Sequence, residues 1–293
     1  MQKNIILAGV GGQGILSIAF VIDHAAMDAG FNFKQAEVHG MAQRGGAVQS
    51  NLRYGDAEIW SDIIPTGKAD MILAVEPLEA LRYRQFLRPG GWVVASTTPF
   101  VNIPNYPESD TLLAELAQIE NIVLVDTAHF ARAAGNRRSQ NMVTVGAASP
   151  LLDFADERML AFVEKLFARK GEKVVSVNQR AFRLGRAAGQ FFRALADAGV
   201  PKRAALELVN KFDPETIDVT HAAAWAETDP ASLALLHDIQ VPPPVPPWWP
   251  LAPAWYLLTG LVLGIASWGL WRRRKRRQAR RYRREALAAL RAL

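Results

Sequence analysis

Along most of the chain, short continuous apolar runs alternate with stretches whose apolar positions recur at helical spacing. The first run, NIILA (4–8), is followed by a glycine turn, GVGGQG, and then by ILSIAFVIDHAAMDAG, which keeps a helical period and stops at Gly30, where a C-cap glycine would sit. The unit reads as strand, glycine turn, helix. It recurs: MILAV (71–75) precedes a helix opening at Pro77, WVVAS (92–96) leads into a loop with Pro99, Pro104 and Pro107, and a helix near 112–118 leads to NIVLVD (121–126) and a further helix. Segments 139–149 and 156–169 read as helices, KVVSV (173–177) as a short strand, and 179–198 as an amphipathic helix. Apolar strands alternating with helices predict an α/β, Rossmann-like architecture, with a mainly parallel sheet and helices on both faces.

The pattern changes towards the C-terminus. Residues 201–238 are polar and helical in tone, with caps available at Asp213-Pro214 and Asp229-Pro230, and no charged residue occurs from Ile239 to Trp271. QVPPPVPPWWPLAP must be extended, because proline removes donors and breaks helices. The next segment, AWYLLTGLVLGIASWGLW (254–271), is eighteen uncharged residues with tryptophans at both ends and RRRKRR after it. As a helix it would reach roughly 27 Å, which with its aromatic flanks predicts a single transmembrane helix. The divisions are therefore a domain over 1–198, a helical extension or linker over 199–238, a Pro/Trp-rich segment over 239–253, the span over 254–271 and a basic helical tail over 272–293.

Localising the charge removes a misleading signal. The formal net charge is +6, but residues 272–293 hold 11 of the 34 Lys+Arg and 1 of the 28 acids, leaving the body at −4 and the tail at +10. Nothing in the body's charge points to nucleic acid. The absence of cysteine excludes disulfides, thiolate-held zinc and iron–sulfur clusters ligated in the ordinary way by this chain. The N-terminal apolar run is too short for a signal peptide, so the body is expected in the cytoplasm.

Two stretches carry candidate chemistry. Gly9, Gly11 and Gly14 spell G-x-G-x-x-G between a strand and a helix, the arrangement that seats a pyrophosphate on helix N-terminal amides, and Glu37 follows at the end of a second strand, where an acid would hold ribose hydroxyls. The second stretch, EVHGMAQRGGAVQSNLRYG (37–55), combines close-approach glycines with Arg44 and Arg53, forked donors suited to phosphate or carboxylate. Glu76 and Glu79 sit three apart at a helix start, suited either to capping or to an interface. His24, His129, His221 and His237 show no ligand spacing and are read as structural, and no metal site is assigned.

Taken together, NIILAGVGGQGIL, AEVHGMAQRGGAVQSNLRYG, IPTGKADMILAVEPLEALRY and LRPGGWVVAS make the first 190 or so residues resemble the gamma-type domain of 2-oxoacid:ferredoxin oxidoreductases, in particular the beta subunit of the indolepyruvate-type enzymes. The resemblance implies a subunit of an enzyme that decarboxylates an aryl 2-oxoacid, passes electrons to ferredoxin and forms an acyl-CoA. It also implies that thiamine diphosphate and the iron–sulfur clusters reside on a partner subunit, with CoA as co-substrate and no cofactor bound by this chain alone. By resemblance, Gly9, Gly11, Gly12, Gln13, Gly14, Glu37, His39, Gly40, Met41, Gln43, Arg44, Gly45 and Gly46 lie where the domain meets the thiamine subunit and the CoA path. No catalytic residue is assigned to this chain itself.

Two other functions remain open at this stage: a free-standing nucleotide-binding oxidoreductase using GVGGQG and Glu37, and a membrane-anchored interaction protein using the domain as a scaffold. The tail, from about residue 232, resembles an uncharacterised bacterial family of single-span membrane proteins. Its basic run at 272–284 would place the C-terminus inside and the body outside, in conflict with a ferredoxin-coupled subunit. Either the tail crosses against the rule, or the apolar segment does not span, or the chain is a fusion of parts from unrelated proteins, the reading favoured here with the topology left open.

Overall fold

The computed structural model describes residues 1–39 and 45–211. The end of the linker, the Pro/Trp-rich segment, the span at 254–271 and the basic tail, expected over 212–293, lie outside these residues. Among the described residues, no helix is long and apolar enough to cross a membrane.

Six strands form one sheet in the order β2-β3-β1-β4-β5-β6, from β1 (Gln2–Val10), β2 (Asn32–His39), β3 (Ala47–Gly55), β4 (Ala69–Ala74), β5 (Leu87–Ser96) and β6 (Ile122–Val125). Strands β1, β4, β5 and β6 run parallel, whereas β3 is antiparallel to both β1 and β2. The sheet is thus mixed and mostly parallel. The antiparallel strand arises because β2 and β3 are joined directly through the glycine-rich loop, a connection too short for a crossover helix.

β1 is followed by α1 (Ile15–Asp28), which leads left to β2, and β4 by α2 (Pro77–Arg82), which leads right to β5. Right-handed crossovers in opposite directions put the two helices on opposite faces. α1 packs with α5 (Gln140–Ala148) and α6 (Asp156–Phe167), both of which pack on α7 (Glu172–Asp197), whereas α2 packs with α3 (Ser109–Ala117). α4 (Thr127–Ala133) follows β6, and α8 (Lys202–Lys211) packs on α7, burying Ala205 and Val209. The crevice between β1 and β4 is accordingly the point where the winding reverses, the usual place for a site at the carboxyl edge of such a sheet.

The apolar runs do what their composition requires: Ile5, Leu7, Ile72, Leu73, Val93 and Val123 are fully buried. Gly30, with φ +84°, ends α1, and the Phe31 N–H donates back to the Ala26 carbonyl, closing the helix as the sequence suggested.

One segment differs from its reading. KVVSV (173–177) is the first turns of α7, not a strand. Its β-branched residues suit a strand, but Val174 and Val175 continue at helical spacing into Asn178, Ala181 and Phe182 and pack on the core, so tertiary packing overrides local preference. α7 also crosses α5 at a distance only glycine permits. A Cβ on Gly146 would stand 1.9 Å from the Phe182 carbonyl oxygen, and one on Gly185 would stand 2.0 Å from that of Val143.

Candidate functional site at the carboxyl edge

The glycine turn is shaped by what surrounds it. A Cβ on Gly9 would fall 2.5 Å from Val75 Cγ2, so β1 passes the end of β4 at glycine distance. Gly14 caps α1 in the left-handed region, and a Cβ there would meet Asn141 Nδ2, from α5, at 2.6 Å.

Gln13 lies in the crevice between β1 and β4. Its Oε1 accepts from the Val10 N–H at 2.8 Å, and its Nε2 donates to the Val75 carbonyl at 3.3 Å. The amide thus ties together the two strand ends from which the chain departs to opposite faces. The turn is also tied to the far end of the β2–β3 loop: the Gly11 N–H donates to the Gly46 carbonyl at 2.8 Å and the Gly45 N–H to the Gly11 carbonyl at 3.2 Å, extending the β1–β3 ladder beyond the Val10–Ala47 pair.

This wiring bears on the dinucleotide alternative. A pyrophosphate site needs the turn's amides free to point at the ligand. Here the Gly11 amide is spent on Gly46, the Gln13 amide N–H on the Val10 carbonyl, and the Gln13 side chain on the crevice itself.

A cavity of about 340 Å³ remains between the turn, the first turn of α1 and the end of β2, lined among others by Gly12, Gly14, Leu16, Glu37 and Val48. Glu37 Oε2 is buried there without a hydrogen-bond partner. A second cavity of about 330 Å³ lies on the other side of Gly12 and Gln13, bounded by Thr98, Phe100, Arg137 and Arg138. It brings two guanidinium-bearing residues to the same edge of the sheet.

The acids after β4 form the cap that their spacing allows. Glu76 Oε2 accepts the Glu79 N–H at 2.9 Å at the start of α2, and Glu79 pairs with Arg82 at 2.9 Å. Burial pushes the Glu79 carboxyl above its usual range, with Arg82 opposing the shift. Glu76, only 1% exposed, also receives the Phe100 N–H at 3.4 Å and the Tyr106 hydroxyl on its other oxygen. Burial, followed by the bond to that carboxylate, raises the Tyr106 phenol.

Gly9, Gly11, Gly12, Gln13, Gly14, Glu37, Gly45 and Gly46 therefore gather around one edge. His39 closes β2 opposite Val48, while Gly40, Met41, Gln43 and Arg44 lie outside the described residues. Arg53 does not belong to the site. It stands opposite Asn4 near the other end of β1, and its guanidinium is held by Asn4 Oδ1 at 2.9 Å and by the Ser61 and Ile63 carbonyls at 2.7 and 3.2 Å. Its role is to fasten the loop after β3, not to receive an anion. Thr98, Asn102, Arg137 and Arg138 were not singled out from sequence, since a proline-rich loop and a short arginine pair carry no motif. His24 is structural, its Nδ1 lying 2.9 Å from the Phe20 carbonyl. Among the described residues, no group of three or more His, Asp or Glu could hold a metal ion.

Two families match different parts of the chain. The family described as Pyruvate ferredoxin/flavodoxin oxidoreductase matches residues 4–188, and Domain of unknown function (DUF4381) matches residues 234–293. Indolepyruvate oxidoreductase subunit IorB of Archaeoglobus fulgidus is 36% identical over 194 residues, covering 63% of this chain and 94% of its own length. The same subunit of Methanothermobacter thermautotrophicus is 37% identical over 192 residues, covering 63% and 96%. The gamma subunit of a keto/oxoacid ferredoxin oxidoreductase from Geobacter sulfurreducens shares the fold at a TM-score of 0.50 and 22% identity, over 64% of this chain and 98% of its own. The 2-oxoglutarate:ferredoxin oxidoreductase of Magnetococcus marinus, solved with 2-oxoglutarate, coenzyme A and succinyl-CoA bound, matches at a TM-score of 0.52 and 22% identity, covering 64% of this chain but only 31% of that longer one.

Proposed function

The chain belongs to the pyruvate ferredoxin/flavodoxin oxidoreductase family, as a subunit of a 2-oxoacid:ferredoxin oxidoreductase, and we propose that it is the subunit that closes the active site rather than the one that carries the redox cofactors. With no cysteine, it does not offer the ordinary donor set for iron–sulfur clusters, so those are assigned to a partner subunit, and the thiamine diphosphate is assigned there by resemblance to the family. The substrate is an aryl 2-oxoacid of the indolepyruvate class, by kinship with the IorB relatives. The overall reaction is oxidative decarboxylation to the acyl-CoA, with the electrons passing through the complex to ferredoxin. Bound thiamine diphosphate supplies the carbanion chemistry. This chain's own part is to orient substrates and exclude water.

The observation that carries this reading is the surface of the carboxyl edge. Exposed apolar side chains gather where the motif residues lie: Leu16 (61%) beside Gly14 and Glu37, Val38 (54%) at the end of β2, and Phe100 (42%) with Val101 (70%) after β5. Exposed apolar residues rimmed by polar groups mark interaction surfaces. Buried against a thiamine subunit, this edge would present Gly12, Glu37, Arg137 and the loop ending at Gly45 to the reaction space. Arg44, in that loop, is proposed to hold an anionic group of the 2-oxoacid or of CoA.

The test is 2-oxoacid- and CoA-dependent dye reduction by a candidate thiamine/iron–sulfur subunit, with and without this chain. The reading requires that activity depend on the chain and fall at least tenfold in Arg44→Ala, the loss typical of one charge-assisted contact. A chain that neither binds the subunit nor alters its rate sinks it.

The unpartnered Glu37 oxygen beside the glycine turn favours the nucleotide reading as a second possibility. A nicotinamide-induced thermal shift of the isolated chain would support it, and the Gly11 and Gln13 amides, spent on Gly46 and Val10, argue against it. The membrane anchor at 254–271, its topology and the origin of the two parts by fusion stand as proposals. Protease protection after fractionation decides them, and a full-length chain found only in the soluble fraction rules out the span.

A further inference from the structure

The segment between β5 and α3 is irregular, yet it is fastened at three places. At its start, the Thr97 N–H donates to the Val125 carbonyl at 3.0 Å, and Thr98 Oγ1 accepts the Ala128 N–H at 3.1 Å and donates to Asp126 at 3.2 Å. Near its end, the Tyr106 hydroxyl and, before it, the Phe100 N–H converge on Glu76 Oε1, whose other oxygen caps α2. In the middle, Asn102 Nδ2 donates to the Gly45 carbonyl at 2.7 Å.

The middle contact is the unusual one. A loop that only connected a strand to a helix would need its two ends fixed, not a side chain aimed at a different loop. Gly45, at φ +78°, is the first described residue after 40–44, and its own N–H is bound to Gly11. Asn102 therefore grips the exit of the VHGMAQRGG loop against the glycine turn, and the buried Glu76 carboxylate holds the segment that carries Asn102.

We infer that residues 97–106 form a strap that holds Gly45 against the glycine turn, with Asn102 as the positioning residue and Glu76 and Tyr106 as its anchor. The inference rests on the subunit reading above, because it assigns the strap's purpose to substrate handling in the assembled enzyme. It goes beyond that reading in assigning residues that act through Gly45 rather than on the substrate. A displacement of Gly45 and the glycine turn by about an ångström is enough to slow a reaction severalfold to a hundredfold, so a single neutral hydrogen bond can matter here beyond its contribution to folding.

The experiment compares wild type, Asn102→Ala, Asn102→Gln and Tyr106→Phe as full chains assembled with the thiamine/iron–sulfur subunit. Amide hydrogen exchange at Gly45 reads the loop directly, and kcat and KM for the 2-oxoacid and CoA read its consequence. The strap account expects Asn102→Ala to speed Gly45 exchange about tenfold, the factor for losing roughly one hydrogen bond, while amides inside β1 and β5 exchange as before. It expects kcat/KM to fall about tenfold in the same variant, with Asn102→Gln restoring part of both and Tyr106→Phe speeding exchange and lowering kcat/KM through the anchor. Unchanged Gly45 exchange in Asn102→Ala overturns the inference, and so does faster exchange with unchanged kinetics; both leave the subunit reading in place. A wild-type chain that fails to assemble with the thiamine subunit overturns both.

Discussion

Asp23 offers a test of the core that needs no partner. It lies on α1, only 4% exposed, and its Oδ1 is buried without a hydrogen-bond partner. Burial pushes its carboxyl from an ordinary value of 3.8 up to about 7. Between those values the folded chain keeps a proton that the unfolded chain has released, so the native state binds more protons and stability falls as pH rises, levelling off above about 7. At about 1.4 kcal/mol per pH unit, the full penalty is a little over about 4 kcal/mol, of which about 2.5 kcal/mol develops between pH 5 and pH 8. Asp23→Asn keeps the shape and removes the charge. In urea unfolding at the two pH values, the variant should gain on wild type by about 2–3 kcal/mol more at pH 8 than at pH 5. A gap that does not change with pH would show that Asp23 is not titrating in the folded interior and would refute the argument.

Two further predictions concern the frame around the site. Gly146→Ala and Gly185→Ala each drive a methyl into a backbone carbonyl across the α5–α7 crossing, and each should cost at least about 3 kcal/mol, read as a large drop in Tm or loss of soluble protein. Wild-type stability in either would mean the helices are farther apart than described. Gln13→Ala unties β1 from β4 and should cost about 2 kcal/mol. Gln13→Glu keeps the acceptor for Val10 but sets an oxygen against the Val75 carbonyl, so it should be no better than alanine; a variant as stable as wild type would show that the crevice does not need the donor.

How much of this was legible beforehand depended on how local the signal was. β1, its glycine turn and α1 were readable because a continuous apolar run, close-spaced glycines and a helical period meet within thirty residues, and Pro77 announced α2 in the same way. Glu76 and Glu79 were correctly placed at a helix start, but the bonds from Phe100 and Tyr106 to Glu76 were not foreseeable, because they come from a loop more than twenty residues away. The direction of β3 was equally hidden: it is fixed by pairing on both sides, and alternation alone cannot distinguish parallel from antiparallel. KVVSV failed as a strand because its valines answer to α7's packing, and Arg53 failed as an anion ligand because the carbonyls that claim it belong to an irregular loop. Asn102 carries no sequence signal at all; only the fold shows that it reaches Gly45.

The central claim is that the carboxyl edge, not another face, meets the thiamine subunit. Hydrogen–deuterium exchange of the full chain, alone and in complex with that subunit, tests it most directly. The account predicts new protection in residues 10–16, 36–46 and 98–106, with none around Lys3, Asp70 and Arg88 at the opposite end of the strands. Protection concentrated at that opposite end, or complex formation that leaves the glycine turn exchanging as in the free chain, would contradict it.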